Sequence, residues 1–398
     1  MKRILNIFSL TNIANLYTLL WLLYYMQGIL YSKGGIVGVS IMSIFILISL
    51  YLVFKVNQQT DLPILLKVLN VLVLLFTIYG TLRILNPVPI FREGGLLHNP
   101  NSFLKTYYIS LLPIYSFYYF VRSGKVDADW IKVWTLVFIA FSIVQFHNSE
   151  LLLIQKMSAE RLQSSVLVNN MGYSFVSLMC LIPFFSKNKA IQNILIILFG
   201  LFVITSVKRG AILCYSVNTF VFLLYRLRDT PRRKRLMILA LVLTCLYVVF
   251  SYLHNVISEN ETLAKLLVMD ITNSSGRDVL YQESWNIIIR ECNLFKILFG
   301  HGADSSIAFL GNYAHNDWLE FALNMGLCGV AVYFVFYIAF AQTVVAAKND
   351  LIRLSLLFLF IPCVMKAIFS MSIGDFQIYE TAVLAFSIAH SSKESLTV

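Results

Sequence analysis

Residues 190–235 read AIQNILIILFGLFVITSVKRGAILCYSVNTFVFLLYRLRDTPRRKR. They hold two apolar runs, 190–207 and 211–226, each close to the roughly 20 residues an α-helix needs to cross a hydrocarbon core. Only Ser206-Val207-Lys208-Arg209-Gly210 joins them, so there is almost no loop between the two helices. The stretch ends in Arg226, Arg228, Arg232, Arg233, Lys234 and Arg235, interrupted among the charged residues only by Asp229. Such a cluster belongs on the cytoplasmic face, where translocation is disfavoured and anionic lipid attracts it.

The rest of the chain repeats this grammar. Of its 398 residues 59% are hydrophobic and only 13% charged, against about a quarter charged in a soluble domain. Span-length apolar windows fall near 8–30, 36–54, 62–85, 103–121, 130–147, 166–185, 190–207 and 211–226, and again near 236–253, 317–342, 351–369 and 376–390. The expected fold is therefore all-α: a polytopic membrane helix bundle of about twelve transmembrane helices, forming a single membrane domain over 1–398. Met1-Lys2-Arg3 before an apolar run imitates a signal peptide. The run continues with no small-residue cleavage site, so a retained first span is expected.

Counting helices from the basic cluster puts Lys187/Lys189, Arg122/Lys125, Lys55, Lys348/Arg353 and both termini on the cytoplasmic side. The net charge of +11 is thus topological, and no basic groove with interleaved aromatics points to nucleic acid. The six cysteines lie mostly inside apolar runs without CxxC spacing, so they read as core residues and not as a disulfide or metal framework. No metal constellation stands out. Asp127-Ala128-Asp129 imitates the paired carboxylates of nucleotide-sugar transferases, but it precedes Trp130 at a helix start and reads as an N-cap.

The same count leaves 254–316 as a large outer, periplasmic loop, with seven acidic residues against four Lys/Arg. Leu263, Leu266, Leu267 and Ile271 have the spacing of an amphipathic surface helix. Ser274 or Ser275 is placed to cap a second helix from about Arg277 to Cys292, and Gly300 and Gly302 permit a tight turn. Residues 86–101, with three prolines and Gly94-Gly95, form a turn-rich loop on the same side.

Candidate chemistry gathers on this face. Lys208 and Arg209 are cations at an outer helix junction, against the positive-inside bias, and suit an anion site or snorkelling to lipid phosphate. Arg277 is suited to bidentate phosphate contacts or to a surface ion pair with Asp278 or Glu283. His315 stands where the loop meets the next span, and imidazole is the natural general base near neutrality; a capping role competes. His301, between two glycines, is a second candidate base. Asn316 or Asp317 is placed to cap the helix, and Glu320 either orients His315 or complements the helix dipole.

In combination, Ser206-Val207-Lys208-Arg209-Gly210, Ser275-Gly276-Arg277 with Trp285, Phe299-Gly300-His301-Gly302, and His315-Asn316-Asp317-Trp318-Leu319-Glu320 with Gly326 and Gly329 resemble the O-antigen ligase/polymerase superfamily of bacterial multispan glycosyltransferases. The resemblance covers about 195–340. It implies transfer of a glycan from undecaprenyl diphosphate, at the periplasmic face of the inner membrane, to lipid A-core (ligase) or to a carrier-linked repeat unit (polymerase). It implies a metal-independent, inverting reaction with no cofactor, and partners that include the lipid-linked oligosaccharide donor, a glycan or lipid A-core acceptor, membrane lipids and a chain-length regulator. By the same resemblance Arg209 and Arg277 bind the diphosphate and His315 is the base, with Lys208, His301, Asn316 and Glu320 beside the substrate. Polymerase is slightly preferred. A lipid-linked oligosaccharide flippase, with Arg83 and Lys366 on its pathway, and a cytoplasmic transferase using Asp127 and Asp129 are the alternatives.

Overall fold

The computed structural model describes residues 12–91, 97–159, 168–228, 230–234, 237 and 277–394. The span expected at 236–253, the amphipathic helix at 261–271, Ser274 to Gly276, Gly94-Gly95 and the two chain ends lie outside these residues.

Helices fall in the other eleven windows. They are α1 (Ile13–Tyr25), α2 (Ile36–Asn57), α3 (Ile64–Leu85), α4 (Ser102–Arg122), α5 (Ala128–Ala159), α6 (Gly172–Leu178, continued as a 3-10 helix over Met179–Phe185), α7 (Lys189–Thr205) and α8 (Arg209–Arg226). After the undescribed segment come α9 (Arg277–Arg290), α10 (Leu294–Phe299) and α11 (Ser305–Leu310), then α12 (Asp317–Ala346), α13 (Asp350–Phe369) and α14 (Ile378–Glu394). No strand occurs among the described residues, only two isolated bridges. Five helices among the described residues are long and apolar enough to cross a membrane: α2, α3, α12, α13 and α5 over Ala128–Gln155. The protein is an all-α, multi-pass membrane protein.

α4 forms the axis of the bundle, with residues Ile109 to Tyr118 buried without interruption. Its partner α14 presents Thr381, Ala382, Ala385 and Ala389, all buried. Small side chains let two helix backbones approach where lipid offers no hydrophobic drive for association. Hydrogen bonds supply further adhesion: Trp130 and Trp134 indole N–H groups donate to Asn15 Oδ1 at 2.7 and 3.1 Å, and Tyr17 Oη pairs with Ser49 Oγ at 2.7 Å. Outward faces such as Ile44, Leu47, Tyr51 and Phe54 of α2 are exposed, as expected of surfaces solvated by acyl chains.

α12 is broken at Gly326, where φ is 65° and ψ is −161°, a backbone region essentially restricted to glycine. The break frees carbonyls that lipid could not satisfy. The Phe299-Gly300-His301-Gly302 segment fills the need: His301 N–H donates to Leu323 O at 2.8 Å and Gly302 N–H to Asn324 O at 3.0 Å. Gly300 (φ 74°) meets the α12 backbone so closely that no Cβ would fit. The glycine-flanked turn expected from sequence is present, and its purpose is to dock the outer loop into a broken span.

Two further devices hold this loop. Asn324 Oδ1 accepts from Ser305 N–H at 2.9 Å and Ser305 Oγ at 2.8 Å, capping α11 from outside. Asp304 is buried between Arg83 Nε at 3.3 Å and His98 Nε2 at 3.2 Å, which ties α3 and the 86–101 loop to the start of α11.

Candidate active site

A cleft of about 400 Å³ opens at the end of the bundle where α4, α6, α8 and α14 begin and α13 ends. Lys208, Arg277 and His315 all line it, although their positions in the chain are far apart. Three separate features of local structure bring them there.

Lys208 is the N-cap of α8 and offers no side-chain cap. Ser206 organises the junction before it: Ser206 Oγ donates to Val203 O at 2.6 Å and accepts from Lys208 N–H at 3.2 Å, while Asn169 N–H donates to Ser206 O at 2.8 Å. Val207 takes a positive φ of 53°, which completes the reversal in the few residues available. Gly210 then packs against the Tyr173 hydroxyl and the Phe369 ring with no room for a side chain.

Arg277 opens α9. Its Nη1 donates to Phe369 O at 2.6 Å, in the last turn of α13, where helix geometry leaves carbonyls without partners. Tyr281, one turn on, donates to Ile368 O at 3.3 Å and to His315 O at 3.0 Å. α9 is thus bolted to the end of a membrane helix through its charged and phenolic groups.

His315 adopts φ 53°, a left-handed conformation that histidine tolerates better than most residues. Its neighbours are pinned on both sides. Ala314 N–H donates to Glu320 Oε1 at 2.6 Å. Asn316 caps α12 by accepting from Leu319 N–H at 3.2 Å and donates to Ile368 O at 2.8 Å. Asp317, fully inside, accepts from Tyr333 Oη at 2.6 Å and Ser372 N–H at 2.8 Å.

The cleft is electropositive. Burial, then the charges of Arg277 and Lys208, hold His315 below the ordinary imidazole range, so its ring is neutral at pH 7 and able to accept a proton. Burial, then repulsion from Arg277 and Lys366, pushes Lys208 down to about 8. Both shifts describe a cation cluster that an anion would relieve.

The remaining sequence candidates are distributed differently. Arg209 is exposed beside Lys208 and does not line the cleft, though it lies within electrostatic reach of Arg277. Glu320 touches the backbone before His315, and its other oxygen accepts from Ser306 Oγ at 2.6 Å, so it braces the loop. His301 faces Glu291 Oε2 at 3.4 Å and lines a separate apolar groove with Tyr79 and Phe309. Asp127 Oδ1 accepts from Trp130 N–H at 2.7 Å, the capping arrangement expected, and Asp129 pairs with Lys132 at 2.9 Å. Arg83 and Lys366, candidates for a transport pathway, are each paired, with Asp304 and Asp375 respectively.

Sequence reasoning missed Asp375. It lines the cleft, half-exposed, and pairs with the buried Lys366 Nζ at 2.5 Å, whose ammonium lies 5.0 Å from the Tyr173 ring centroid. A signal existed: the short interval between the windows 351–369 and 376–390 falls on the outer side by the same helix count and contains this single carboxylate. Tyr281 carried no such signal, because its role depends on the docking of α9.

Among the described residues no group of three or more His, Cys, Asp or Glu is placed to hold a metal ion. No curated protein matches the chain. Residues 194–334 match the protein family described as O-Antigen ligase. That region carries the α7–α8 junction, Arg277, His315 and the break in α12 at Gly326. Over residues 194–334, about a third of the chain, the protein is therefore similar to the O-antigen ligase family, and the match supports a membrane glycan-ligation role in polysaccharide biosynthesis.

Proposed function

We propose that the protein transfers a glycan from undecaprenyl diphosphate to an acceptor hydroxyl, in the cleft between α8, α9 and the start of α12, on the periplasmic face of the bacterial inner membrane. The observation that carries this reading is the convergence of Lys208, Arg277 and His315 on one cleft. A diphosphate leaving group gains negative charge as the glycosidic bond lengthens, and fixed cations stabilise that charge. Arg277, held by Phe369 O through one nitrogen, keeps further N–H donors for phosphate oxygens. Lys208 supplies a second charge, and Arg209 a third at the rim, where the headgroup meets the bilayer edge.

In the reaction the acceptor oxygen bonds to the anomeric carbon from the face opposite the diphosphate, inverting that centre. The bond from carbon to the diphosphate oxygen breaks, and its electron pair leaves with the carrier diphosphate. The acceptor proton passes to the neutral imidazole of His315. One base suffices for this displacement, without the second carboxylate of a hydrolytic glycosidase. Asp375, on the same cleft, is placed to accept hydrogen bonds from sugar hydroxyls.

The test is transfer by purified protein from a defined carrier-diphosphate oligosaccharide, offered a second carrier-linked repeat unit in one arm and lipid A-core in another. Product on the carrier-linked unit identifies a polymerase, and product on lipid A-core a ligase. Movement of the intact donor across vesicles without glycosidic transfer would replace this reading with a flippase.

A further inference from the structure

The end of the bundle away from the cleft carries a second built cavity, of about 450 Å³. Helix directions separate the two. α13 begins at the cavity with Leu351, Ile352 and Ser355 and ends at the cleft beside Ser370, while α14 begins at the cleft beside Gln377 and reaches the cavity at Phe386 and His390. The 20 residues of α13 span about 30 Å, the thickness of the hydrocarbon core.

The floor of this cavity is apolar, formed by Phe184, Phe185 and Phe386 with Leu351 and Ile352. Its rim is cationic. Lys187 is exposed and has no carboxylate partner among the described residues, and Lys132 shares Asp129 at 2.9 Å. α5, α7 and α13 all start here, at Ala128, Asn188 and Asn349; their first turns are capped by Asp127, Asn188 and Asn349, and Asp129 and Asp350 stand in the first turns of α5 and α13.

Ser355 provides an independent observation. It is 1% exposed, it lines the cavity, and its Oγ has no hydrogen-bond partner. A helical serine ordinarily returns its hydroxyl to the carbonyl four residues earlier, as Ser284 and Ser216 do here. In this chain the Ser355 hydroxyl is buried and unpartnered in the wall of this apolar space. His390 adds a second polar edge, with Nδ1 bonded to Phe386 O at 2.8 Å.

We propose that this cavity binds an anionic phospholipid of the opposite leaflet. Lys187 and Lys132 receive its phosphate, Ser355 bonds its glycerol-ester region, and the three phenylalanines cover the first part of an acyl chain. A small soluble anion would leave the aromatic floor wet. A zwitterionic headgroup would bring its own cation against the two lysines. The site is separate from the glycan cleft and does not depend on the reaction proposed there.

The experiment is lipid retention by the full-length protein in detergent, read by native mass spectrometry, with dioleoyl phosphatidylglycerol, dioleoyl phosphatidylcholine and inorganic phosphate as probes. With each lysine contributing to headgroup attraction, phosphatidylglycerol should be retained about 30-fold more tightly than phosphatidylcholine. The double variant Lys132→Gln/Lys187→Gln should lose that preference. Ser355→Leu, which removes the hydroxyl and narrows the cavity, should lose the tight lipid while its lipid-free melting temperature stays at the wild-type value. Arg232→Gln/Arg233→Gln, which removes surface cations outside the cavity, should leave the tight lipid in place. Equal retention of the two lipids, an unchanged preference in the lysine and Ser355 variants, or displacement of phosphatidylglycerol by millimolar phosphate would each overturn the assignment.

Discussion

Replacing His315 separates its chemistry from its backbone, because the residue carries two loads. Its φ of 53° lies in the left-handed region, where a Cβ costs about 1–2 kcal/mol, less for residues such as Asn, Asp and His. His315→Asn therefore keeps the conformation and loses the base, whereas His315→Ala loses both. Removing a general base typically slows the chemical step about 10²- to 10⁴-fold, or roughly 3–5 kcal/mol of barrier. Transfer by the Asn variant should fall by that factor, with donor affinity little altered, since the ring is uncharged at pH 7. Melting in detergent should drop for the Ala variant and not for the Asn variant.

The pH profile adds a sharper reading. Burial and the charges of Arg277 and Lys208 depress the His315 proton affinity in the free protein, so the active, neutral form is lost only as pH falls below 6.5. A bound diphosphate offsets those cations, so protonation becomes easier in the complex. The acid limb of kcat should consequently sit at higher pH than the acid limb of kcat/KM. A His315→Asn variant that keeps a third of wild-type transfer, or retains the acid limb, would refute the role of base.

Two other outcomes follow from the same geometry. Wild-type donor affinity should weaken as pH rises through about 8, where Lys208 loses its proton; Lys208→Arg, charged throughout, should remove that alkaline loss, and an unchanged profile in calorimetric or fluorescence titration would count against Lys208 as a phosphate ligand. Gly326→Ala places a side chain in a backbone region worth about 1–3 kcal/mol of strain and against the 297–300 backbone; folded yield and melting temperature should fall, and a wild-type melt would show that the break in α12 is not needed to dock the loop.

Much of the architecture was legible because membrane burial leaves a mark on every residue. Apolar run length, governed by bilayer thickness, marked the windows in which eleven helices are found. The junction at Lys208-Arg209, the cap at Asn316 and the turn at Gly300 were likewise local, since each depends on a few adjacent residues. Ranking the cations was not local. Arg209 and Lys208 are adjacent in sequence, but the start of α8 puts Lys208 in the cleft lining and leaves Arg209 exposed outside it. Glu320 and His301 occupy positions that suit catalysis on paper; in the fold one holds Ala314 and Ser306, and the other belongs to a different groove.

By itself, then, the sequence determined that this chain is a helical membrane bundle, and it pointed to candidate chemistry between 206 and 320, because hydrophobicity and charge placement are read residue by residue. Only the tertiary structure decided which groups meet. Arg277 reaches the cleft because α13 ends in unpaired carbonyls that it and Tyr281 satisfy. His315 is held in place from α9, α12 and α13 together. Asp375 joins them from beyond the end of α13, a proximity that comes from helix packing and that no spacing rule contains.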